Sequence, residues 1–463
     1  MDSPVVVAVR RMRAQALNYG SATLADDWTR LITDREPASA FVFQSQEESM
    51  LQRMRWIIPL AVLACQIEPV RADVLTDWNE KTVAFVTPRM VPAAGQRVVA
   101  MVQVAMFDAI NSIEPRYRPY LVQLPATATT SRQAAAAAAA ASVLAGLHPQ
   151  AEAEFTAAGA AYLAALPDGD GKAEGIKLGE AIAAKILATR AKDGADAPDS
   201  YRPRTVPGVY VPTPITVSST WPNLTPFAMT SQSQFRPQAP VALTSEEWAK
   251  DYNEIKELGG KNSTKRSARQ TEDARFWLIT GPQSTEPIVR QIVSAKKLDL
   301  IDCARLMALT AIAAADAGIA VMDAKYHYNF WRPVTAIRNG DIDDNAATER
   351  DAIWQPIDNT PMHPEYPCAH CIISKAVATA VELAFGTAEI PEIAMSSPTA
   401  PGITHQWTNV RAYADEVAYS RIWAGFHYRF SVGVGQDMGR RIGEYVANNI
   451  MQPASRPLRG DQN

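Results

Sequence analysis

The sequence lacks an excess of either charge, and it lacks a hydrophobic run long enough to span a membrane. Its 463 residues include 45 lysines and arginines and 49 aspartates and glutamates, so the net charge is −4. This balance excludes a general attraction to nucleic acid, and any anion must be bound by a few local cations. A mainly disordered chain is excluded because 47% of the residues are hydrophobic. The one apolar run that resembles a membrane segment is too short, so we expect no transmembrane span.

That short run lies within a pattern typical of a secretory signal peptide. Two arginines precede the apolar residues 56–64, and Ala72 provides a small residue for cleavage. We therefore expect residues 50–72 to be a signal peptide and residues 1–49 to be an upstream extension or a misassigned start. The mature protein would then be exported to the periplasm or secreted. The alternative is that residues 56–64 form a buried helix.

The mature chain is mostly helical in its pattern, with one long interruption. Residues 73–197 show apolar residues at helical spacing, and the eight consecutive alanines at 134–141 favour helix. Residues 198–244 contain nine prolines, which exclude helix, and interleaved aromatic residues indicate that this crossover packs against the body. Helical spacing resumes over residues 245–450, before a tail at 451–463. With no strand alternation found, we predict an all-α helix bundle with a long Pro-rich irregular crossover.

Two short motifs in the C-terminal helical region combine cations with a helix N-terminus. Lys325 and Arg332 stand seven residues apart, which on a helix places both cations on one side. Cys368, Ala369 and His370 open an apolar helix, and the first turn of a helix offers free backbone N–H groups to an anion. His370 could give or take a proton there.

A third motif adds a further cation and a further histidine. Arg421 and His427 would point in different directions on an unbroken helix, but Gly425 between them predicts a break that lets both side chains converge. Together the three motifs supply the groups that hold a tetrahedral or trigonal-bipyramidal oxyanion, because arginine forks bind its oxygens and lysine adds a point charge.

The three motifs, in this order, resemble the signature of the superfamily that joins vanadium-dependent haloperoxidases and type 2 phosphatidic-acid phosphatases. The signature K-x6-R-P, P-S-G-H and S-R-x5-H-x3-D corresponds here to Lys325…Arg332-Pro333, Pro367-Cys368-Ala369-His370 and Ser420-Arg421…His427. The chain from residue 73 to its end resembles the exported, bacterial haloperoxidase-like branch. The resemblance implies an all-helical fold and a shared site for vanadate or phosphate.

The resemblance also implies a role for each motif residue. The oxygens of vanadate or phosphate would be bound by Lys325, Arg332, Cys368, Ala369 and Arg421. His427 would be the axial residue, bonded to vanadium in a haloperoxidase or acting as the nucleophile in a phosphatase, and His370 would be the general acid–base. A haloperoxidase would use vanadate as cofactor, with hydrogen peroxide and a halide as substrates. An acid phosphatase would take a phosphate ester and need no cofactor, and a homodimer stays open in either case.

The sequence departs from the family signature at three positions. Cys368, Ala369 and Ser431 stand where the family has serine, glycine and aspartate. A thiol is a poorer hydrogen-bond donor than a hydroxyl, and loss of the carboxylate removes the group expected to orient His427. Asp323 is a candidate replacement for that carboxylate. These departures also leave open a degenerate member that binds an oxyanion with little turnover.

A metal or redox site is the remaining alternative. His363, Cys368, His370 and Cys371 lie within nine positions, and thiolate and imidazole together suit zinc or copper(I). The two cysteines could also be redox-active or close into a disulfide after export. Among the alternatives we favour the vanadate-dependent haloperoxidase, with acid phosphatase as runner-up.

Overall fold

The computed structural model describes residues 74–454, and the regular secondary structure of this part of the chain is almost entirely helical. The predicted signal peptide at 50–72, the segment 1–49 and residues 455–463 lie outside the described residues. The α-helices span Val74–Val86, Pro92–Ile113, Arg132–Leu147, Glu152–Ala164, Asp170–Arg190, Glu246–Leu258, Ala268–Phe276, Glu286–Lys296, Leu300–Tyr328, Pro333–Arg338, Ala369–Phe385, Val410–Trp423 and Arg429–Asn449. The predicted all-α class with its irregular crossover is confirmed.

The expectation that no strand would be present is wrong at one place. Glu389–Ser397 and Ala400–Asn409 pair as an antiparallel, two-stranded hairpin. Ile393 and Trp407 are directly opposite each other and are buried against the helices. The register shifts twice along the pair, so buried residues do not alternate evenly and the two-residue period is hidden in the sequence.

The helix Leu300–Tyr328, here called the central helix, passes through the core. Nearly every residue from Ile301 to Lys325 is buried. By length and composition it is the one described helix that could cross a membrane, and its whole apolar segment is buried inside the protein. Its apolar character is therefore accounted for by packing against other helices.

The helix Ala369–Phe385, here called the site helix, packs closely against the last helix, Arg429–Asn449. A Cβ atom at Gly439 would lie 2.3 Å from the carbonyl oxygen of Ile372, and one at Gly443 would lie 2.6 Å from that of Ala376. Such distances exclude any side chain larger than hydrogen at these two positions. The glycines thus let the last helix hold the site helix in place.

The Pro-rich crossover, residues 198–244, is irregular apart from a single 3-10 turn at Trp221–Asn223. Asp316 of the central helix is fully buried and accepts the backbone N–H groups of residues 227–229 at 2.6, 2.8 and 2.8 Å. Arg190 donates to the carbonyl oxygen of Thr225 at 2.7 Å. Side chains from the body thus replace the hydrogen bonds that proline denies this segment.

Candidate active site

Lys325 lies fully buried in the last turns of the central helix. Its ammonium donates to the carbonyl oxygens of Pro364 at 2.8 Å and Glu365 at 2.6 Å. Burial, followed by the positive charge of Arg332, lowers the pKa of Lys325 well below its ordinary value. Because a lysine carries three donors and two are used, one N–H remains for an anion.

Arg332 also lies in this site, but it is not on the same helix as Lys325, as the spacing of the two residues had predicted. The central helix ends at Tyr328, and Asn329 turns the chain with a left-handed backbone (φ 51°). Pro333 then keeps Arg332 extended (φ −79°, ψ 154°) ahead of the next short helix. The two cations therefore converge across a turn and not along one helix face. Arg332 Nη1 lies 3.2 Å from His427 Nε2.

Arg421 is the third buried cation of the site. Its helix, Val410–Trp423, ends where the sequence predicted a break, and Gly425 adopts a positive φ of 79°. Nη1 donates to the backbone carbonyl of Trp277, whereas Nε has no hydrogen-bond partner in the described part of the chain. An unpaired guanidinium N–H away from water is costly unless a ligand accepts it.

His427 is held by a residue that the sequence analysis missed. Its Nδ1 lies 2.7 Å from Oε1 of Glu365, which also accepts the backbone N–H of Tyr428 at 3.2 Å. With the Nδ1 proton donated to Glu365, the Nε2 lone pair faces Arg332 and the site. Burial, and then the charges of the three cations, lower the pKa of His427 well below its ordinary value, so the ring is neutral.

Glu365, and not Asp323, takes the place of the missing family carboxylate. Asp323 forms a bidentate salt bridge with Arg236, in which each carboxylate oxygen accepts one guanidinium N–H at 2.7 Å. Burial raises the pKa of Glu365 to about 7, while Lys325 and then Arg332 oppose that shift. Ser431, which replaces the family aspartate, is fully buried, and its side chain also favours the charged form of Glu365. A single sequence signal pointed to Glu365: it is an acid set between two prolines just ahead of the second motif.

Cys368 caps the site helix and forms a disulfide bond with Cys371. Because both sulfurs are bonded to each other, neither can be a thiolate ligand, and the predicted zinc or copper(I) alternative is wrong in this structure. Ala369 is the first helical residue, so alanine fits there without strain. The backbone N–H groups of Ala369 and His370 have no partner within the helix and remain for an anion.

Two further histidines line the cavity beside these groups. His370 Nε2 donates to the carbonyl oxygen of Ile279 at 2.9 Å, which leaves its Nδ1 as an acceptor. Desolvation, and then the charge of Arg421, lower the pKa of His370 well below its ordinary value, so it is a neutral base. His363, considered above only as a metal ligand, accepts from Arg332 Nη2 at 3.0 Å. The structure therefore adds His363 to the site.

The three cations are not neutralised by the protein around them. Within residues 74–454, no acidic side chain forms a salt bridge with Lys325, Arg332 or Arg421. Each of the three is at most 2% exposed. Glu365 is the carboxylate that acts on the pKa of Lys325 and Arg332, and it contacts the cluster through His427. This arrangement leaves an excess of buried positive charge, which favours an anion as its ligand.

A cavity of about 1280 Å³ opens next to these cations. Its lining includes Arg332, His363, Ala369, His370 and Arg421, whereas Lys325, Cys368 and His427 are not part of it. The sequence-predicted residues are therefore brought together at one place, while the role of each remains a prediction.

Comparison with known proteins finds a family match in the C-terminal part of the chain. Residues 305–456 match the family model of the VCPO second helical-bundle domain. Vanadium chloroperoxidase of Curvularia inaequalis is 30% identical in an alignment that covers 38% of this chain and 38% of that protein. The chain thus spans well under half the length of this relative, and residues 305–456, which match the family model, contain all three motifs.

Solved structures match a larger part of the chain. A bacterial vanadium-dependent iodoperoxidase superposes with a TM-score of 0.69 at 23% identity, covering 83% of this chain and 97% of that one. The apo form of a bacterial vanadium-dependent chloroperoxidase superposes with a TM-score of 0.65 at 17% identity, covering 80% and 96%. At such identities the likeness shows a shared fold.

Proposed function

Because the resemblance to the vanadium-dependent haloperoxidase superfamily is confirmed, we propose that this protein is a vanadate-dependent haloperoxidase. In the net reaction, one halide, one hydrogen peroxide and one proton convert a C–H bond of an organic acceptor into a carbon–halogen bond, with release of two waters. The relatives named above are vanadium chloroperoxidases and a vanadium-dependent iodoperoxidase, which supports a peroxidase that uses halide.

The observation that carries the proposal is the excess of buried positive charge. Lys325, Arg332 and Arg421 lie close enough that the charges of the two arginines lower the pKa of Lys325. Counting donors, a protonated lysine and each guanidinium retain at least one N–H without a partner in the described part of the chain. A vanadate anion would accept these donors together with the backbone N–H groups at the start of the site helix. The residues present therefore fit the cofactor.

Vanadate, when bound, supplies a Lewis-acidic centre at which peroxide becomes a stronger oxidant. The chain's own residues hold that centre and move protons around it. His427 offers the Nε2 lone pair, and Glu365 fixes the tautomer that makes this lone pair available. His370 is neutral, its Nδ1 is free to accept a proton, and it faces the cavity, so it can serve as the general base.

Two alternatives lose support. Acid phosphatase would use the same cations, but the relatives identified above are haloperoxidases. A degenerate, inactive member was suggested by a missing carboxylate and by oxidisable thiols. Glu365 supplies a carboxylate to His427, and the Cys368–Cys371 disulfide leaves no free thiol at the site for the oxidant to attack.

The test is bromide- and peroxide-dependent halogenation by the purified protein, with and without added vanadate. We expect turnover that requires vanadate, and loss of that turnover in His427→Ala. Hydrolysis of an aryl phosphate without halogenation would favour the phosphatase instead. Neither activity in a folded, vanadate-binding protein would point to a degenerate oxyanion binder.

Export is a separate proposal. A disulfide between Cys368 and Cys371 supports an oxidising compartment, because such bonds rarely persist in the cytosol. We expect the protein in the periplasmic or secreted fraction, with an N-terminus at Asp73 by intact mass. A cytosolic protein that begins upstream of Met50 would contradict this proposal.

A further inference from the structure

The cavity beside the cations is much larger than the proposed reaction requires for its inorganic components. At about 30 Å³ for each water displaced, a vanadate, a halide and a peroxide together occupy roughly 200 Å³. The cavity measures about 1280 Å³. Cavities of roughly 300–1,000 Å³ already hold drug-sized organic ligands. Most of this volume is therefore free for another molecule.

Most of the cavity wall around the cations is apolar. Six of its residues come from four separate parts of the chain and illustrate this: Val209, Val211, Val321, Met322, Trp331 and Val417. Besides Arg332 and Arg421, the charged residues of the lining are Arg338 and Asp358. A charged or strongly hydrated ligand would lose more hydration than this wall returns, whereas an apolar ligand would gain.

Exposed apolar side chains gather on the same lining. Among residues 74–454, nine large hydrophobic side chains are exposed, and four of the nine line this cavity. They are Val91 (39% exposed), Val206 (51%), Ile342 (48%) and Met362 (41%). Scattered exposed hydrophobic residues need no explanation, but a group on one cavity lining marks a ligand site. Val206 belongs to the Pro-rich crossover, which therefore forms part of this wall.

From these three observations, and resting on the proposed function, we propose that the cavity binds the organic acceptor itself. The acceptor class is an uncharged, bulky, apolar molecule with an electron-rich C=C bond, such as a fused-ring or long-chain compound. It would lie against the apolar wall with its reactive carbon toward Arg332, Arg421 and His370, so that halogenation occurs where the oxidant forms. Ile342, Val206 and Met362 would determine which acceptors enter.

The first experiment measures binding without turnover, so that it does not depend on the proposed chemistry. The probe is the neutral, apolar dye N-phenyl-1-naphthylamine, added to the vanadate-treated protein without peroxide or halide. We expect Ile342→Glu, and likewise Val206→Glu, to raise the dye's Kd at least about tenfold, since one apolar side chain contributes that much to burial. Ile353→Glu is the matched control, because Ile353 is 84% exposed and does not line the cavity. Equal dye affinity in Ile342→Glu and Ile353→Glu would overturn the proposal.

The second experiment compares two acceptors in the same variants. We expect Ile342→Glu to lower halogenation of a bulky apolar phenol at least about tenfold, with bromination of a small, water-soluble 1,3-diketone unchanged. Equal loss with both acceptors would overturn the proposal. If neither acceptor is halogenated while the dye still distinguishes the variants, the proposed function fails and the apolar ligand site stands. If Ile342→Glu instead converts a dimer to a monomer in size-exclusion chromatography, the exposed apolar residues of the cavity lining form an interface between copies of the chain, and the proposal is wrong.

Discussion

Two buried histidines, His427 and His405, lie in charged clusters of opposite composition. His427 faces three cations and contacts one carboxylate, Glu365. His405 contacts Glu416 through Nδ1 at 2.6 Å and Glu272 through Nε2 at 3.2 Å, with Asp273 at 3.9 Å. The first cluster therefore has an excess of positive charge, and the second has an excess of carboxylates.

The opposite charges of the two clusters shift the pKa values of the two histidines in opposite directions. Burial and the nearby cations lower the pKa of His427. Burial also opposes protonation of His405, but its hydrogen bonds to Glu416 and Glu272 outweigh burial and raise its pKa. Arg269 reaches all three carboxylates of the second cluster. Arg269 and the His405 ring thus pair with all three carboxylates of the His405 cluster, whereas the three cations of the His427 cluster have no salt-bridge partner among residues 74–454 and favour an anion as ligand.

Trp277 connects the two clusters. Its indole N–H donates to Glu416 at 3.0 Å, and its backbone carbonyl accepts from Arg421. The His405 cluster thus positions the backbone carbonyl that binds Arg421. The comparison teaches that buried charge is a sign of function when the protein leaves it uncompensated, and a sign of architecture when the protein pairs it.

The largest expected effect separates the two histidines directly. We expect His427→Ala to lower vanadate-dependent bromination at least about 1000-fold, roughly 4 kcal/mol of transition-state stabilisation. His405→Ala should keep activity within about tenfold but lower the free energy of unfolding by about 3 kcal/mol, because it leaves carboxylates unpaired. Steady-state bromination rates and urea unfolding of both variants test these expectations for activity and stability. If His405→Ala were the inactive variant, the functional assignment of the two clusters would be reversed.

The next effect concerns the uncompensated cation. We expect Arg421→Met to weaken vanadate binding about 100-fold, as loss of one anion donor commonly does. Without vanadate, the variant should be as stable as the wild type or more so, because the lost guanidinium has no salt bridge. Vanadate titration measures the affinity, and urea unfolding of the vanadate-free protein measures the free energy of unfolding. Arg269→Met is the control: it should leave vanadate binding unchanged, and it should lower the free energy of unfolding of the vanadate-free protein, because three carboxylates lose their arginine. A large loss of stability in vanadate-free Arg421→Met would contradict the comparison.

A smaller effect tests the carboxylate that sets the His427 tautomer. We expect Glu365→Gln to lower kcat/KM about tenfold, because the ring loses its charged acceptor. Adding Ser431→Asp should restore part of the rate by supplying a carboxylate from the neighbouring helix. Asp323→Asn should have no such effect, since Asp323 pairs with Arg236. A lack of rescue by Ser431→Asp, with the fold intact, would show that position 431 cannot orient His427.

The smallest effect is the pH dependence of stability, and its sign differs between the clusters. The pKa of His405 is raised in the folded protein. Its contribution to the free energy of unfolding is therefore complete below about pH 6.5 and is lost as the pH rises through the folded-state pKa. The pKa of His427 is lowered, so the unfolded chain gains a proton that the folded one does not, and stability falls as the pH drops below about 6.5. Each slope is at most about 1.4 kcal/mol per pH unit.

The measurement is urea unfolding of vanadate-free protein between about pH 5 and 8, the range in which histidines titrate. His405→Gln should flatten the alkaline side of the profile, and His427→Gln should flatten the acid side. Identical profiles in both variants would mean that the two rings titrate alike, contrary to their surroundings.

The elements and the charged motif residues could be predicted from local pattern. The alanine run, the helix break at Gly425 and the effect of Pro333 on Arg332 depend on neighbours within a few residues along the chain, so composition and spacing reveal them. The hairpin at Glu389–Ser397 was missed because its register shifts hide the strand period.

The sequence by itself determined an all-helical chain that carries three cations and two histidines in a recognisable order. Tertiary structure alone decided that Glu365 orients His427, 62 positions away, and that Asp323 turns to Arg236. It also decided which charges stay uncompensated and how much apolar space lies beside them. The physical reason is that pairing and burial depend on where packed helices and loops bring side chains together, and spacing along the chain does not contain that information.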